Sequence, residues 1–213
     1  MEIKKIGHCC LVIKTHNLKI LTDPGIWSGE MFGEEKIDLI LITHEHADHL
    51  HLNSLREVLK KSPTAKIFSV QSVVEILAQE GIVAEALTNG QSVEVLGHIV
   101  EAVGERHADI YSEIPPVENT GFLLDNYFFY PGDAFTVPKV NIGILALPVA
   151  GPWLKISEVL EYAKKVAPRF AFPVHDGMLA HHDFIYNHCK RFLPGFGTEF
   201  IVPDNSKYYN FQK

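Results

Sequence analysis

The stretch Ile37-Asp38-Leu39-Ile40-Leu41-Ile42-Thr43-His44-Glu45-His46-Ala47-Asp48-His49 decides how the rest of the chain is read. Its first six residues are apolar apart from Asp38, short and rich in Ile, the pattern of a buried strand. Directly after it, His44, His46, Asp48 and His49 place four metal-binding side chains within six residues. In an extended segment His44 and His46 project from the same face, because side chains alternate with period two. A single His after a strand is more often a polar loop residue than a ligand. Four such groups together are different, because burying them without a metal would leave several unpaired at about 1–3 kcal/mol each. Imidazole and carboxylate donors suit zinc, iron or manganese, and the segment contains no thiolate.

Outward from that segment, the N-terminal side reads as β structure. Apolar runs at 10–14 and 18–21 flank His16-Asn17 as a hairpin, and the second ends at Thr22-Asp23-Pro24-Gly25. A loop containing Trp27, Gly29 and Gly33 then leads to the central strand. On the C-terminal side, capping-box spacing in Ser54-Leu55-Arg56-Glu57 and Ser72-Val73-Val74-Glu75 predicts two helices, the second stopping at Gly81, with a strand over 66–70 between them. Two strands joined near Gly97 follow over 92–104, then a hairpin over 121–130 turning at Asp125-Asn126. The remainder reads as a strand over 141–147, a helix over 157–166 with Ser157 as N-cap and Pro168 as stop, a strand over 170–174, a helix over about 182–193 and a strand over 198–202. Both halves run from strands into helix–strand units, which predicts two β-sheets with helices on their outer faces. No linker interrupts this order, so residues 1–213 are read as a single domain.

The composition narrows the function. A net charge of −7 disfavours a broad nucleic-acid-binding face, which needs clustered Lys and Arg. Three cysteines, two of them the adjacent pair Cys9 and Cys10, cannot form a disulfide framework and read as free thiols. The N-terminus reaches His8 before any long apolar run, unlike a signal peptide, and runs such as 37–42 are too short to span a bilayer. A cytoplasmic location is the expectation. Twelve histidines against three Met and two Trp make the histidine positions the question to answer.

His44-x-His46-x-Asp48-His49 after a buried strand resembles the signature of the metallo-β-lactamase superfamily. Other motifs resemble that family in the same order: Asp23 in Leu21-Thr22-Asp23-Pro24, His107 after Gly104-Glu105-Arg106, Asp133 after Tyr130-Pro131-Gly132, and His175 in Pro173-Val174-His175-Asp176. Alone, His107 would be a surface residue, Asp133 a turn residue and Asp23 the polar half of an Asp-Pro turn; their joint order at strand ends lifts them. The resemblance implies an α/β fold, a four-layer αββα sandwich with metals at one edge between the sheets. It further implies that His44, His46 and His107 hold one divalent ion, that Asp48, His49 and His175 hold another, that Asp133 bridges them, and that Asp23 supports the site from behind. Zinc is the first expectation, with manganese or iron also suited. A hydroxide shared by two metals about 3.5–4 Å apart would be the nucleophile, with Asp48 orienting it and taking its proton.

Gly7-His8, Thr22-Asp23-Pro24, Leu147-Pro148-Val149 with Gly151-Pro152, and the compact length resemble the branch containing L-ascorbate-6-phosphate lactonase and N-acyl-phosphatidylethanolamine phospholipase D. That implies hydrolysis of an ester, lactone or phosphodiester bond in a small-molecule substrate. No arm for transfer RNA is present, so nucleic acid and membrane partners are not expected, while a homo-oligomer is compatible with the sequence. Recognition then falls to loops carrying His8, Trp27, Trp153 and His181, with His182 beside it. Two rivals stand against this reading. A di-iron oxidoreductase of the same family carries a carboxylate where this chain has His46 and works with a flavin module. A non-catalytic metal-binding module would have lost ligands, whereas every expected position here is filled.

Overall fold

The structure is a computed structural model that describes residues 1–29, 33–204 and 207–211; residues 30–32 of the expected loop before the central strand lie outside the described set. The first sheet joins β1 (Glu2–Ile6), β2 (Cys10–Lys14), β3 (Lys19–Thr22), β4 (Leu39–Ile42), β5 (Lys66–Ser69) and β6 (Glu85–Ala86), with β14 (Tyr209–Asn210) beside β1. The second runs β13-β12-β11-β10-β9-β8-β7, from β7 (Ser92–Val95), β8 (His98–Val103), β9 (Gly121–Leu124), β10 (Phe128–Tyr130), β11 (Ile144–Pro148), β12 (Phe170–Val174) and β13 (Glu199–Phe200). Four α-helices, α1 (Leu52–Lys61), α2 (Gln71–Gln79), α3 (Ile156–Val166) and α4 (Asp183–Phe192), are assigned among the described residues.

The alternation of side chains sorts the apolar residues into layers. Leu11, Ile13, Leu39 and Leu41 of the first sheet meet Phe122, Phe128, Ile144 and Phe172 of the second in a core between the sheets. Their neighbours Cys10, Val12, Ile40 and Ile42 point the other way, into a core under α1 and α2 with Leu55, Val58, Val73 and Leu77. Phe129, Leu145, Leu147 and Ala171 face α3 and α4 through Val159, Tyr162, Ala163 and Cys189. The result is the four-layer αββα sandwich. β4 is buried on both faces, as a central parallel strand must be.

Strand direction gathers the chemistry at one edge. β3, β4 and β5 are parallel, and so are β10, β11 and β12, while β8 and β10 both run antiparallel to β9. The ends of β3, β4, β8, β10, β11 and β12, together with the start of β2, which is antiparallel to β3, therefore lie at the same edge. Ligand sites of parallel sheets form at these carboxyl ends.

Three helix starts differ from the sequence reading. α1 begins at Leu52, and Ser54 sits inside it, its Oγ 2.8 Å from His51 Nδ1. α2 begins at Gln71; the Ser72 amide donates to the Glu118 carboxylate at 2.7 Å, a cap supplied by a distant segment in place of the local Ser. α3 begins at Ile156, where Glu158 Oε2 accepts from the Lys155 amide at 2.6 Å. A distant carboxylate thus serves a first-turn amide of α2 and the third helical residue serves the N-cap amide of α3, whereas the His51–Ser54 contact at α1 joins two side chains. The strand expected over 141–147 begins instead at Ile144 and runs to Pro148. Asp125 and Asn126, with φ of 52° and 51°, turn the β9–β10 hairpin in the left-handed conformation such a turn demands. All three cysteines are free and buried. Among the described residues no helix is long and apolar enough to cross a membrane.

Candidate metal centre

Asp23, at the end of β3, organises the loop that follows β4. Its carboxylate accepts from the Thr43 amide at 2.8 Å, the Thr43 hydroxyl at 2.8 Å, His49 Nδ1 at 2.6 Å and the Tyr130 hydroxyl. A carboxylate facing His49 Nδ1 fixes the hydrogen on that nitrogen and leaves Nε2 with its lone pair. The Thr43 hydroxyl spends its hydrogen on Asp23, so it accepts from His44 Nδ1 at 2.9 Å and exposes His44 Nε2 in the same way. His107 Nδ1 donates to the Ala108 carbonyl at 2.5 Å, freeing a third Nε2.

Asp133 lies at the centre. Its Oδ2 is 2.8 Å from His175 Nε2 and 3.3 Å from His107 Nε2, and its Oδ1 is 3.2 Å from His49 Nε2. Asn119 positions this carboxylate: its Oδ1 accepts from the Asp133 amide at 3.0 Å and its Nδ2 donates to the Pro131 carbonyl at 3.0 Å. Trp153 Nε1 donates to Asp133 Oδ2 at 3.0 Å. Asp48 Oδ2 approaches His8 Nε2 at 3.3 Å, His175 Nε2 at 3.5 Å and His49 Nε2 at 3.8 Å. Backbone strain marks the edge: Asp23 and His175 have φ of 40° and 58°, a conformation that costs non-glycine residues energy and clusters at functional sites.

Two groups of donors gather at this edge, and Asp133 belongs to one of them and contacts His49 and His175 of the other. In one, donor atoms of His44, His46, His107 and Asp133 lie within 4.8 Å of one another; in the other, those of His8, Cys9, His49 and His175 do. His49 Nε2, both ring nitrogens of His175 and Asp133 Oδ1 are buried without a hydrogen-bond partner. Native interiors pair such atoms, and divalent cations among them would satisfy the set, so these residues fit metal ions. The electrostatics agree. Burial, then His49, holds His44 well below the usual imidazole value, and burial, then His107, lowers His46. Burial opposes charge on His49 and His175, yet Cys9, Asp133 and Asp23 raise His49, and Asp133 and Cys9 raise His175, well above that value. Burial likewise opposes ionised Asp133 and Asp48, but the surrounding imidazoles hold both well below the carboxylate range.

A cleft of about 280 Å³ opens onto this cluster. His46, Asp48, His107, Asp133 and His175 line it beside Ile26, Trp27, Ile110, Pro152, Trp153 and Met178, and no Lys or Arg is among its described lining residues. A larger cavity, about 530 Å³, opens between Lys14, His98 and Asp125 and contains none of these donors. His8 is buried, with its ring edge-on to Trp27 at 4.9 Å, and its Nδ1 accepts from the Gly177 amide at 2.9 Å. Trp153 is buried in the cleft wall, whereas His181 is exposed and absent from the cleft lining, where Met178 stands instead. His182 lines a separate cavity with Lys5, Asp176 and Tyr186. Sequence reasoning missed Tyr130, Asn119 and Cys9. A Tyr ending a buried strand needs a partner for its hydroxyl, the one signal that pointed to Tyr130.

Residues 2–175 match the family profile described as the beta-lactamase superfamily domain. Protein Rv0786c of Mycobacterium tuberculosis is 35% identical over 185 residues, covering 84% of this chain and 86% of its own. A UPF0173 metal-dependent hydrolase of Thermoplasma acidophilum is 29% identical over 229 residues, covering 97% and 98%. The metallo-β-lactamase fold protein YhfI of Bacillus subtilis superposes with a TM-score of 0.75 at 14% identity, over 98% of each chain. At that identity the likeness carries the fold: the two seven-stranded sheets with flanking helices are the metallo-β-lactamase fold.

Proposed function

The chain belongs to the metallo-β-lactamase superfamily, and from that premise we propose that it is a dinuclear metal-dependent hydrolase of uncharged carboxylic esters or lactones. The observation that carries the reading is the pair of donor groups joined through Asp133, with buried His49 and His175 nitrogens that have no hydrogen-bond partner. His44, His46 and His107 would hold one ion, His49, His175 and Asp48 the other, with Asp133 between them. Nitrogen and oxygen donors make zinc the first expectation, with manganese or iron as alternatives. When bound, such ions acidify water toward a pKa of about 7 and polarise the group under attack.

The protein's own residues supply the rest. Asp48 remains ionised and accepts a hydrogen bond from the attacking water, orienting it and taking its proton. His8 supports Asp48: its Nδ1 accepts from the Gly177 amide, so its hydrogen sits on Nε2, facing the Asp48 carboxylate at 3.3 Å. Trp153 and Asn119 hold Asp133 in place. Ile26, Trp27, Ile110, Trp153 and Met178 form an apolar wall for the acyl part of a small-molecule substrate. No Lys or Arg in that described lining would add to the metal ions in holding a phosphate, which favours a neutral ester or lactone over a phosphodiester.

Elemental analysis of protein purified without added metal, followed by turnover of ester, lactone and bis-p-nitrophenyl phosphate substrates, tests the proposal. Two equivalents of metal with chelator-sensitive ester or lactone hydrolysis is the expected result. Phosphodiester turnover alone would overturn the substrate class, iron with oxygen consumption would replace hydrolysis by redox chemistry, and absence of metal would overturn the reading.

A further inference from the structure

We propose that the Cys9 thiolate is a ligand of the metal held by His49 and His175, which makes the second site of the dinuclear centre a sulfur-containing one; the inference rests on the metal-centre reading above. Cys9 immediately precedes β2 and shares the parity of Leu11 and Ile13, so it points between the sheets, whereas Cys10 points with Val12 toward α1 and α2. A buried cysteine usually packs as a small hydrophobe, and at its lower side Cys9 does so. Toward the metal edge its neighbours are three imidazoles: ligand atoms of Cys9, His8, His49 and His175 lie within 4.8 Å of one another, all on buried residues.

The hydrogen bonds decide which of these four face a cation. His8 Nδ1 accepts from the Gly177 amide, which puts the ring hydrogen of a neutral His8 on Nε2, 3.3 Å from the Asp48 carboxylate, so His8 offers no free lone pair. His49 Nε2 and His175 Nε2 have no partner, although both residues are at most 2% exposed. Asp133 Oδ1, also unpartnered, lies 3.2 Å from His49 Nε2. His49 and His175, with Cys9 Sγ beside them and the Asp48 and Asp133 carboxylates reaching the same two imidazoles, thus offer nitrogen, oxygen and sulfur donors together. The other group, His44, His46, His107 and Asp133, contains no sulfur. On binding, the S–H bond of Cys9 is exchanged for a sulfur–metal bond, and the proton leaves to solvent. A thiolate biases the second site toward zinc or cobalt and against manganese or magnesium.

Cobalt(II) titrated into the chelator-stripped full-length chain reads this directly. The expected result is two equivalents bound, with an intense near-ultraviolet sulfur-to-cobalt charge-transfer band on one of them. Cys9→Ser abolishes the band while Cys10→Ser and Cys189→Ser retain it, and far-UV circular dichroism confirms that each variant is folded. X-ray absorption on the zinc protein should show a sulfur shell at about 2.3 Å that Cys9→Ser lacks; this measurement carries the test should Cys9→Ser bind cobalt poorly. Two equivalents without the band and without a sulfur shell overturn the thiolate ligand and leave the dinuclear hydrolase standing. A band that survives Cys9→Ser also overturns it, and binding of one equivalent or none overturns both readings.

Discussion

Lys5→Met tests whether the architecture behind His175 is held by charge. Lys5 Nζ lies 2.5 Å from Asp176 Oδ1, and the Lys5 and Asp176 side chains are 4% and 0% exposed. The Tyr186 hydroxyl donates to the other Asp176 oxygen. Asp176 directly follows His175, whose strained backbone amide donates to the His8 carbonyl at 3.1 Å. Removing the ammonium strands a buried carboxylate, which costs about 3–5 kcal/mol when nothing else compensates. Two features pull the figure down. Tyr186 keeps its hydrogen bond, and a cavity of about 430 Å³ lined by Lys5 and Asp176 can admit water. The expected loss is therefore about 3 kcal/mol, which for a chain of this size lowers Tm by roughly 6–12 °C. Urea and thermal unfolding of the metal-free protein at pH 7 measure it. Lys5→Met with Asp176→Asn should recover at least half, because the stranded charge is then gone. A loss below about 1 kcal/mol, the range of an exposed pair, or a double variant no better than the single one would refute the argument.

Asp48→Asn should lower kcat by about 10²-fold or more, the scale of a lost general base, while elemental analysis still finds metal; near-normal turnover would remove Asp48 from that role. His49 and His175 have folded pKa values raised above the unfolded value. Their contribution to the stability of the metal-free protein is thus full below about pH 6.5 and is lost as pH rises through the folded values. Metal needs these imidazoles neutral, so affinity at the second site should climb with pH, while the site containing His44 and His46, whose pKa values lie below the usual imidazole value, responds less. Competition titrations of the two equivalents at several pH values check this, and equal slopes would contradict it. Gly132→Ala places a Cβ 2.4 Å from Asn119 Oδ1 at a residue with φ of 64°. A left-handed penalty of about 1–2 kcal/mol and comparable overpacking should appear in urea unfolding; unchanged stability would mean the Pro131-Gly132 turn relaxes freely.

What could be read in the sequence was what is local. The strand before His44 and the four donors within one loop need only period two and a turn, and both are present in a window of thirteen residues. The hairpin at Asp125-Asn126 is legible for the same reason. The helix starts are not, because a carboxylate 46 residues away in sequence caps α2 and no local pattern records it. The network that orients the donors is equally remote, with Tyr130 reaching Asp23 across 107 residues. Asn119 is anonymous in its own segment and acquires its role only where β9 begins beside the turn carrying Asp133.

The adjacent cysteines show where local reading stops. Alternation alone assigns Cys9 and Cys10 to opposite faces of β2, but not which face meets the imidazoles. That follows from β2 pairing with β3 in the register Leu11 with Thr22 and Ile13 with Ile20, which turns Leu11 and Ile13, and Cys9 with them, toward the second sheet. A slip of one residue would exchange the two faces, seating Cys10 beneath His49 and His175 and sending Cys9 among Leu55 and Val73. The buried Leu11 and Ile13, which would be carried to the helix side by the same slip, hold the register. The hydrophobic core of β2 therefore determines which thiol stands at the metal edge, and the metal chemistry proposed for Cys9 depends on apolar packing several residues away.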